Sequence, residues 1–178
     1  MDNMIKLKKY IDSAIDPILE PIKDKLSDTY KLRLFGMTQI PLLFLVKPTV
    51  IALNDDCCEV KIPLNRMTKN HVGSMYFGAL AIGADCVVGM LAMYKAEKML
   101  PEKKFVPIFK DFKADFLKRA ESEVVFSCLE GEKIESMILK SQETRERVTE
   151  SITAEATTPD MGNEVVARFT MGLSLKFK

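Results

Sequence analysis

Residues 75–94 read MYFGALAIGADCVVGMLAMY, a run whose only charged side chain is Asp85. A helix built from it has no polar face, so it must be surrounded. The length suits a membrane span, but Gly78, Gly83 and Gly89 oppose one, as does a central aspartate costing about 2.5 to 3.5 kcal/mol on insertion scales. The flanking sections read as strands with charged alternate faces. The stretch therefore predicts a helix from about Ser74 to about Met99, held inside a curved antiparallel sheet in an α+β fold. A carboxylate in that setting loses hydration. It must recover the loss through hydrogen bonds, a partner charge, a raised pKa or contact with water in a cleft. Two roles stay open for Asp85: a structural group bridging nearby backbone, or a general base or nucleophile. Gly73 before the helix, and Gly78 and Gly83 within it, permit close approach of a strand, a ligand or another helix.

Upstream, Thr49 to Leu53 and Glu59 to Leu64 flank the turn Asn54-Asp55-Asp56 and predict a hairpin. Asn65 to Val72 is polar and loop-like. Downstream of Pro101 the pattern alternates in twos through Val106 and Ile108, then Phe112, Ala114 and Phe116, then Val124, Phe126 and Cys128. Ile134 to about Glu146 fits either a short surface helix or a long hairpin arm. The last segment sets Val165, Ala167, Phe169, Met171, Leu173, Leu175 and Phe177 on one face, and Arg168, Thr170, Ser174 and Lys176 on the other. That is a long, half-buried antiparallel strand. Ile40 to Val46 is apolar but about a third of a bilayer-spanning length, so it belongs to the core or to a dimer surface. Near the start, Ile11, Ile15, Ile18, Ile22 and Leu26 form one stripe of an amphipathic helix interrupted by Pro17 and Pro21. Lys6, Lys8 and Lys9 favour a membrane surface, whereas Asp12, Asp16, Glu20 and Asp24 oppose anionic lipid, which favours packing on protein. The expected division is a helical extension over residues 1–30 and one domain over residues 31–178.

A chain of 178 residues, 47% hydrophobic, buries one sufficient core without disulfides or metals. Its 26 lysines and arginines balance 25 acidic residues, so no basic field invites nucleic acid. Cys57, Cys58, Cys86 and Cys128 include no CxxC pair, and the opening residues lack a signal-peptide pattern, so a cytoplasmic setting is expected. With His71 as the sole histidine, no zinc site is expected. Cys86 has no cationic neighbour in sequence and reads as a small buried hydrophobe. Ser74, His71 and Asp85 supply the residue types of a triad, but Ser74 and Asp85 lie about 16 Å apart along a helix.

The segment Asn70-His71-Val72-Gly73-Ser74-Met75-Tyr76-Phe77-Gly78-Ala79, with Ala84-Asp85 after it, resembles the signature of hot-dog-fold acyl-CoA thioesterases of the phenylacetate-degradation type. In those enzymes an N-x-x-G loop enters a central helix, a His-Gly-Gly follows, and a catalytic acid lies about two turns on. Asn70, Gly73, Gly78 and Asp85 match in spacing, and the order of elements agrees. The resemblance covers roughly residues 30 to 178, within a branch whose loop is like Pro63-Leu64-Asn65-Arg66. Two positions depart from the family. Tyr76-Phe77 replaces His-Gly, removing a histidine that helps hold the thioester, and Gly89 stands where a hydroxyl residue often follows the acid by one turn. The resemblance implies a hot-dog fold with Asp85 as base or nucleophile and the Phe77 and Gly78 amides as oxyanion donors at the positive helix end. It places Asn70 in the site's lining. Gly73, Tyr76 and Arg66 are the candidate substrate contacts, and two roles stay open for Arg66 and Lys69: meeting coenzyme A phosphates, or forming a solvated loop face. No cofactor is implied beyond the coenzyme A or acyl carrier of the thioester itself.

Two other functions fit the same residues. Tyr76 and Phe77 in place of small polar groups would suit a non-catalytic acyl or acyl-CoA binding module. A hydratase or dehydratase on this fold needs a histidine beside the acid, for which His71 is the candidate. Phe77 and Asp85 are eight positions apart, about 12 Å along one helix and about 80° around it. A site using both is expected to span two chains, in a homodimer or a dimer of dimers.

Overall fold

The computed structural model describes residues 27–177. The amphipathic stripe expected from Ile11 to Leu26, and with it most of the extension expected over residues 1–30, lies outside the described residues. In chain order the elements are α1 (Asp28–Gln39), α2 (Pro41–Leu45), β1 (Thr49–Leu53), β2 (Cys58–Ile62), α3 (Phe77–Met99) and β3 (Phe105–Phe116). There follow β4 (Val124–Cys128), α4 (Gly131–Thr144), β5 (Val148–Thr158) and β6 (Glu164–Phe177). The six strands make one antiparallel sheet in the order β1-β2-β4-β5-β6-β3. A long helix packed on a curved sheet of this kind is the hot-dog fold.

The alternation of β6 decides which face is inside. Ala167, Phe169, Met171, Leu173 and Leu175 are buried, and opposed residues of an antiparallel pair share a face. Phe109, Phe112, Ala114 and Phe116 of β3, paired with Leu173, Met171, Phe169 and Ala167, therefore point inward too. A bulge between Phe109 and Phe112 holds that face because the Asp111 carboxylate accepts the Gly172 N–H at 2.9 Å. A second bulge, at Ala156/Thr157, breaks the expected pattern, and Val166 rather than Val165 is buried at the start of β6.

Helix α3 packs on β2, β4 and β5 of this inner face, burying Leu80, Val87, Val88 and Leu91. Each such side chain contributes about 1.5 to 3 kcal/mol. Gly83 is required where it stands: a Cβ there would run into the buried Phe126 ring of β4. The helix is not enclosed on every side, contrary to the expectation from its composition. Gly78, Ala81, Ile82, Asp85, Gly89 and Met93 form a stripe that no described element covers fully. Half of these residues are glycine or alanine, so an apolar composition conceals how little bulk the stripe offers to a core. By length and composition alone α3 would cross a membrane, with a mean hydropathy of 1.7, but here it lies against the sheet.

The expected helix start at Ser74 moves to Phe77, because Ser74–Tyr76 belong to the preceding loop. The Met75 N–H bonds the Ala120 carbonyl at 2.8 Å and the Tyr76 N–H bonds the Thr68 carbonyl at 2.8 Å. The region after Ile134 is a helix: Ile134, Met137, Ile138 and Ser141 are buried at three- and four-residue steps. Arg145, in the left-handed conformation, ends it. Helix α4 is tied to α3 by Lys95, only 3% exposed, whose ammonium meets the Glu135 carboxylate at 2.5 Å.

The two sheet edges differ. Along β1, the Thr29 hydroxyl of α1 accepts the Val50 N–H at 2.9 Å, and Arg33 donates to the Pro48 carbonyl at 2.9 Å and the Thr49 hydroxyl at 3.0 Å. Helix α1 thus closes one edge. Along β3 no described residue takes the outer backbone groups, and Phe112 and Phe116 stand exposed.

Candidate functional site

The loop that enters α3 is held by its own polar groups. Thr68, fully buried, donates its hydroxyl to the Pro63 carbonyl at 2.6 Å and accepts the Asn65 N–H at 2.9 Å. The Asn70 side-chain oxygen accepts the N–H groups of Val72 at 3.0 Å and Ser74 at 3.2 Å, while its amide donates to the Ser74 hydroxyl at 3.1 Å. Gly73 sits at φ 88°, a conformation suited to glycine. The N-x-x-G spacing is thus an Asx-type turn closed by a left-handed residue. Asn70 serves this turn, with its carboxamide engaged inside the loop.

What the turn delivers is the start of α3. Tyr76 is the N-cap and supplies no side-chain cap, and the N–H groups of Phe77 and Gly78 have no acceptor among the described residues. Those of Ala79 and Leu80 bond the Tyr76 carbonyl at 2.9 and 3.1 Å. Two free donors at the positive end of a helix of 23 residues can receive a developing negative charge. Both aromatic side chains beside them reach solvent, Tyr76 at 48% and Phe77 at 58% exposure, with ring centroids 4.6 Å apart. The Tyr76 ring lies along Gly78, and a Cβ added there would come within 2.6 Å of it.

Asp85 lies two turns on, in the open stripe. Its carboxylate is half-buried and has neither a hydrogen bond nor an ion pair among the described residues. Burial alone pushes its pKa above the ordinary carboxylate value. The bridging role is therefore not what the described residues give it. Beside it, Gly89 faces open space, with nothing within 4 Å of where a Cβ would stand. Cys86 is buried and its thiol pKa is pushed up, first by that burial, as suits an inert hydrophobe.

One chain does not join these parts. Asp85 and the Phe77 amide remain about 12 Å apart along the axis. Gly73, Arg66, Lys69 and His71 are all exposed on the loop, and Arg66 has no ion-pair partner among the described residues. Two open grooves lie away from Asp85. One, of about 690 Å³, is lined by Asp55, Lys95, Lys98, Glu132, Glu135 and Leu139 at the far end of α3, and Asp85 lines neither it nor its neighbour. The buried Lys95 went unnoticed in the sequence because its partner, Glu135, lies in the segment that alternation left undecided.

The model of a family described as a domain of unknown function, DUF4442, matches residues 32–174, from within α1 to near the end of β6. The chain belongs to the DUF4442 family. No curated protein matches it. Among solved structures, this DUF4442 chain is similar to a Pseudomonas aeruginosa protein of unknown function named a probable thioesterase, with 21% identity and a TM-score of 0.63 over 85% of this chain and 97% of that one. It is similar to a Chlorobaculum tepidum protein of unknown function at 11% identity and a TM-score of 0.71, over 83% and 93%. It is also similar to zebra fish thioesterase superfamily member 2 at 12% identity and a TM-score of 0.56, over 84% and 94%. At these identities the likeness establishes the hot-dog fold for the DUF4442 chain.

Proposed function

We propose that this DUF4442 protein hydrolyses acyl thioesters of coenzyme A or of an acyl carrier. The reading rests on Asp85, a half-buried carboxylate that meets no partner among the described residues and carries a raised pKa from burial. A structural carboxylate would be hydrogen-bonded or paired, whereas a base or nucleophile is left free to meet water or substrate. The Phe77 and Gly78 amides would hold the oxyanion as the carbonyl carbon is attacked. Several hot-dog structures that resemble this chain carry thioesterase names, which supports the same class. Arg66, exposed on the loop that enters α3 and without an ion-pair partner among the described residues, would meet the phosphates of coenzyme A, with Gly73 and Tyr76 against the rest of the substrate.

The site is completed in this reading by a second copy. With β1 closed by α1, the β3 edge is the one that no described residue covers, and it would extend the sheet across a twofold axis. Two α3 helices would then run antiparallel, the amide end of one beside Asp85 of the other, with their crossing near Ala81. Dimers of dimers would build on that pair.

One observation favours the non-catalytic alternative. The Tyr76 ring lies along Gly78, an aromatic surface that would suit holding an acyl-CoA rather than turning it over. Turnover over acyl-CoAs of graded chain length, beside binding of the same compounds, distinguishes the two. Hydrolysis of at least one member is expected, and binding without turnover across the panel would refute hydrolysis in favour of the module.

A further inference from the structure

Large apolar side chains crowd the outer side of α1 and α2. Phe35, Met37, Ile40, Leu42, Phe44 and Leu45 are all exposed, Leu42 at 63%. They form one patch because α2 turns back onto α1: a Cβ on the buried Gly36 would stand 2.9 Å from the Phe44 nitrogen. The inner side of the pair is satisfied, with Leu32, Leu43 and Val46 buried in the core. The outer side meets nothing among the described residues, and an apolar patch of this density marks a docking surface.

Three features point to residues 11–26 of the same chain as its occupant. They join α1 directly at Ser27, and sixteen residues reach about 24 Å even at the helical rise, with Pro17 and Pro21 interrupting the helix, against about 18 Å for the whole of α1. A tether that short holds them at an effective concentration in the millimolar range, ahead of any occupant arriving from solution. Their sequence offers Ile11, Ile15, Ile18, Ile22 and Leu26 at three- and four-residue steps, apolar groups to set against an apolar face. Their charge is complementary as well. Four acids, Asp12, Asp16, Glu20 and Asp24, outweigh Lys23 and Lys25, whereas around the patch Lys31, Arg33 and Lys47 outweigh Asp28. Arg33 bonds only a carbonyl and a hydroxyl, and neither it nor Lys47 meets a carboxylate among the described residues.

We propose that residues 11–26 lay their apolar stripe over the exposed side of α1 and α2. The test uses the full chain, by hydrogen exchange of wild type and of the variant Ile15→Gln/Ile18→Gln/Ile22→Gln. Exchange across residues 28–46 should speed up by at least about tenfold in the variant, while residues 164–177, in the sheet, keep their protection as an internal control. Equal exchange in both proteins would overturn the proposal. A second measurement identifies the occupant. In a Cys57→Ser background, which removes the one cysteine that is not buried, a short bismaleimide should link Ile18→Cys to Leu42→Cys within one chain. A link that runs as a dimer would assign the patch to a second copy. Sedimentation of wild type, but not of the triple-glutamine variant, with phosphatidylcholine–phosphatidylglycerol vesicles would assign the stripe of residues 11–26 to lipid. Either result overturns the proposal.

Discussion

Replacing Asp85 with asparagine should move activity and stability in opposite directions. The carboxylate has no hydrogen bond or ion pair among the described residues, so the neutral amide of the same shape breaks no contact. What it removes is the cost of holding a charge where burial disfavours it. The sign follows from the raised pKa. Because the folded pKa lies above the unfolded one, the folded state holds the extra proton between the two values. Stability from this group therefore falls as pH rises from near the ordinary carboxylate value through the raised folded value, and is flat above it. At neutral pH Asp85→Asn should stabilise the fold by about 1 kcal/mol, a typical gain where a functional group is destabilising, or roughly 2 to 4 °C in Tm. Turnover should fall by roughly a hundredfold or more, about 2.7 kcal/mol of transition-state stabilisation. The wild-type rate should also decline as pH drops through the raised pKa, since the base works deprotonated. Calorimetric scans at neutral and acidic pH, beside initial rates on the best acyl-CoA, read both quantities. A variant that loses stability as well as activity would refute the reasoning, since Asp85 would then be holding structure through a partner.

Two glycines on one helix should respond with opposite signs. Gly83→Ala sets a methyl against the buried Phe126 ring, and overpacking of about 1 to 3 kcal/mol should outweigh the gain of about 1 kcal/mol in helix propensity; Gly89→Ala, facing open space, should show that gain alone in thermal unfolding. His71→Ala should keep most hydrolytic activity, because His71 is exposed and the proposed mechanism uses only a carboxylate and amides; a loss as large as that of Asp85→Asn in the same rate assay would move the function toward hydration of an enoyl thioester. Asn70→Ala should raise KM and loosen the loop, seen as faster hydrogen exchange over residues 70–76, since three bonds within the turn depend on its side chain.

The parts of this fold that were legible in the chain are those with a period. Alternation identified β6 and β4, and an apolar run with one charge identified α3 and Asp85, because such patterns reflect burial on one face or on most of a helix. Features that depend on distant residues were not. Alternation left the segment after Ile134 undecided, since only contact with α3 shows which of its residues are buried. The closing of the β1 edge needs Thr29 and Arg33 to meet a strand some twenty residues later, which no local pattern announces. The N-x-x-G motif was legible as a loop, but that the Asn70 side chain holds this loop together is visible only in its bonds. The open stripe of α3 was hidden by composition, because glycine and alanine count as apolar whether or not anything packs on them.

Whether the site joins Asp85 of one chain to the Phe77 amide of another is tested most directly by mixing two inactive variants. Phe77→Pro removes the amide donor at the first helical position, where proline is best tolerated, and Asp85→Asn removes the base. If the site spans two chains, each mixed dimer carries one doubly damaged site and one intact site. After unfolding and refolding together in equal amounts, about half the dimers are mixed and about a quarter of wild-type turnover should return. If each site lay within one chain, every site would carry a lesion. Folded mixed dimers with no recovered turnover, or a monomer in sedimentation, would contradict the account.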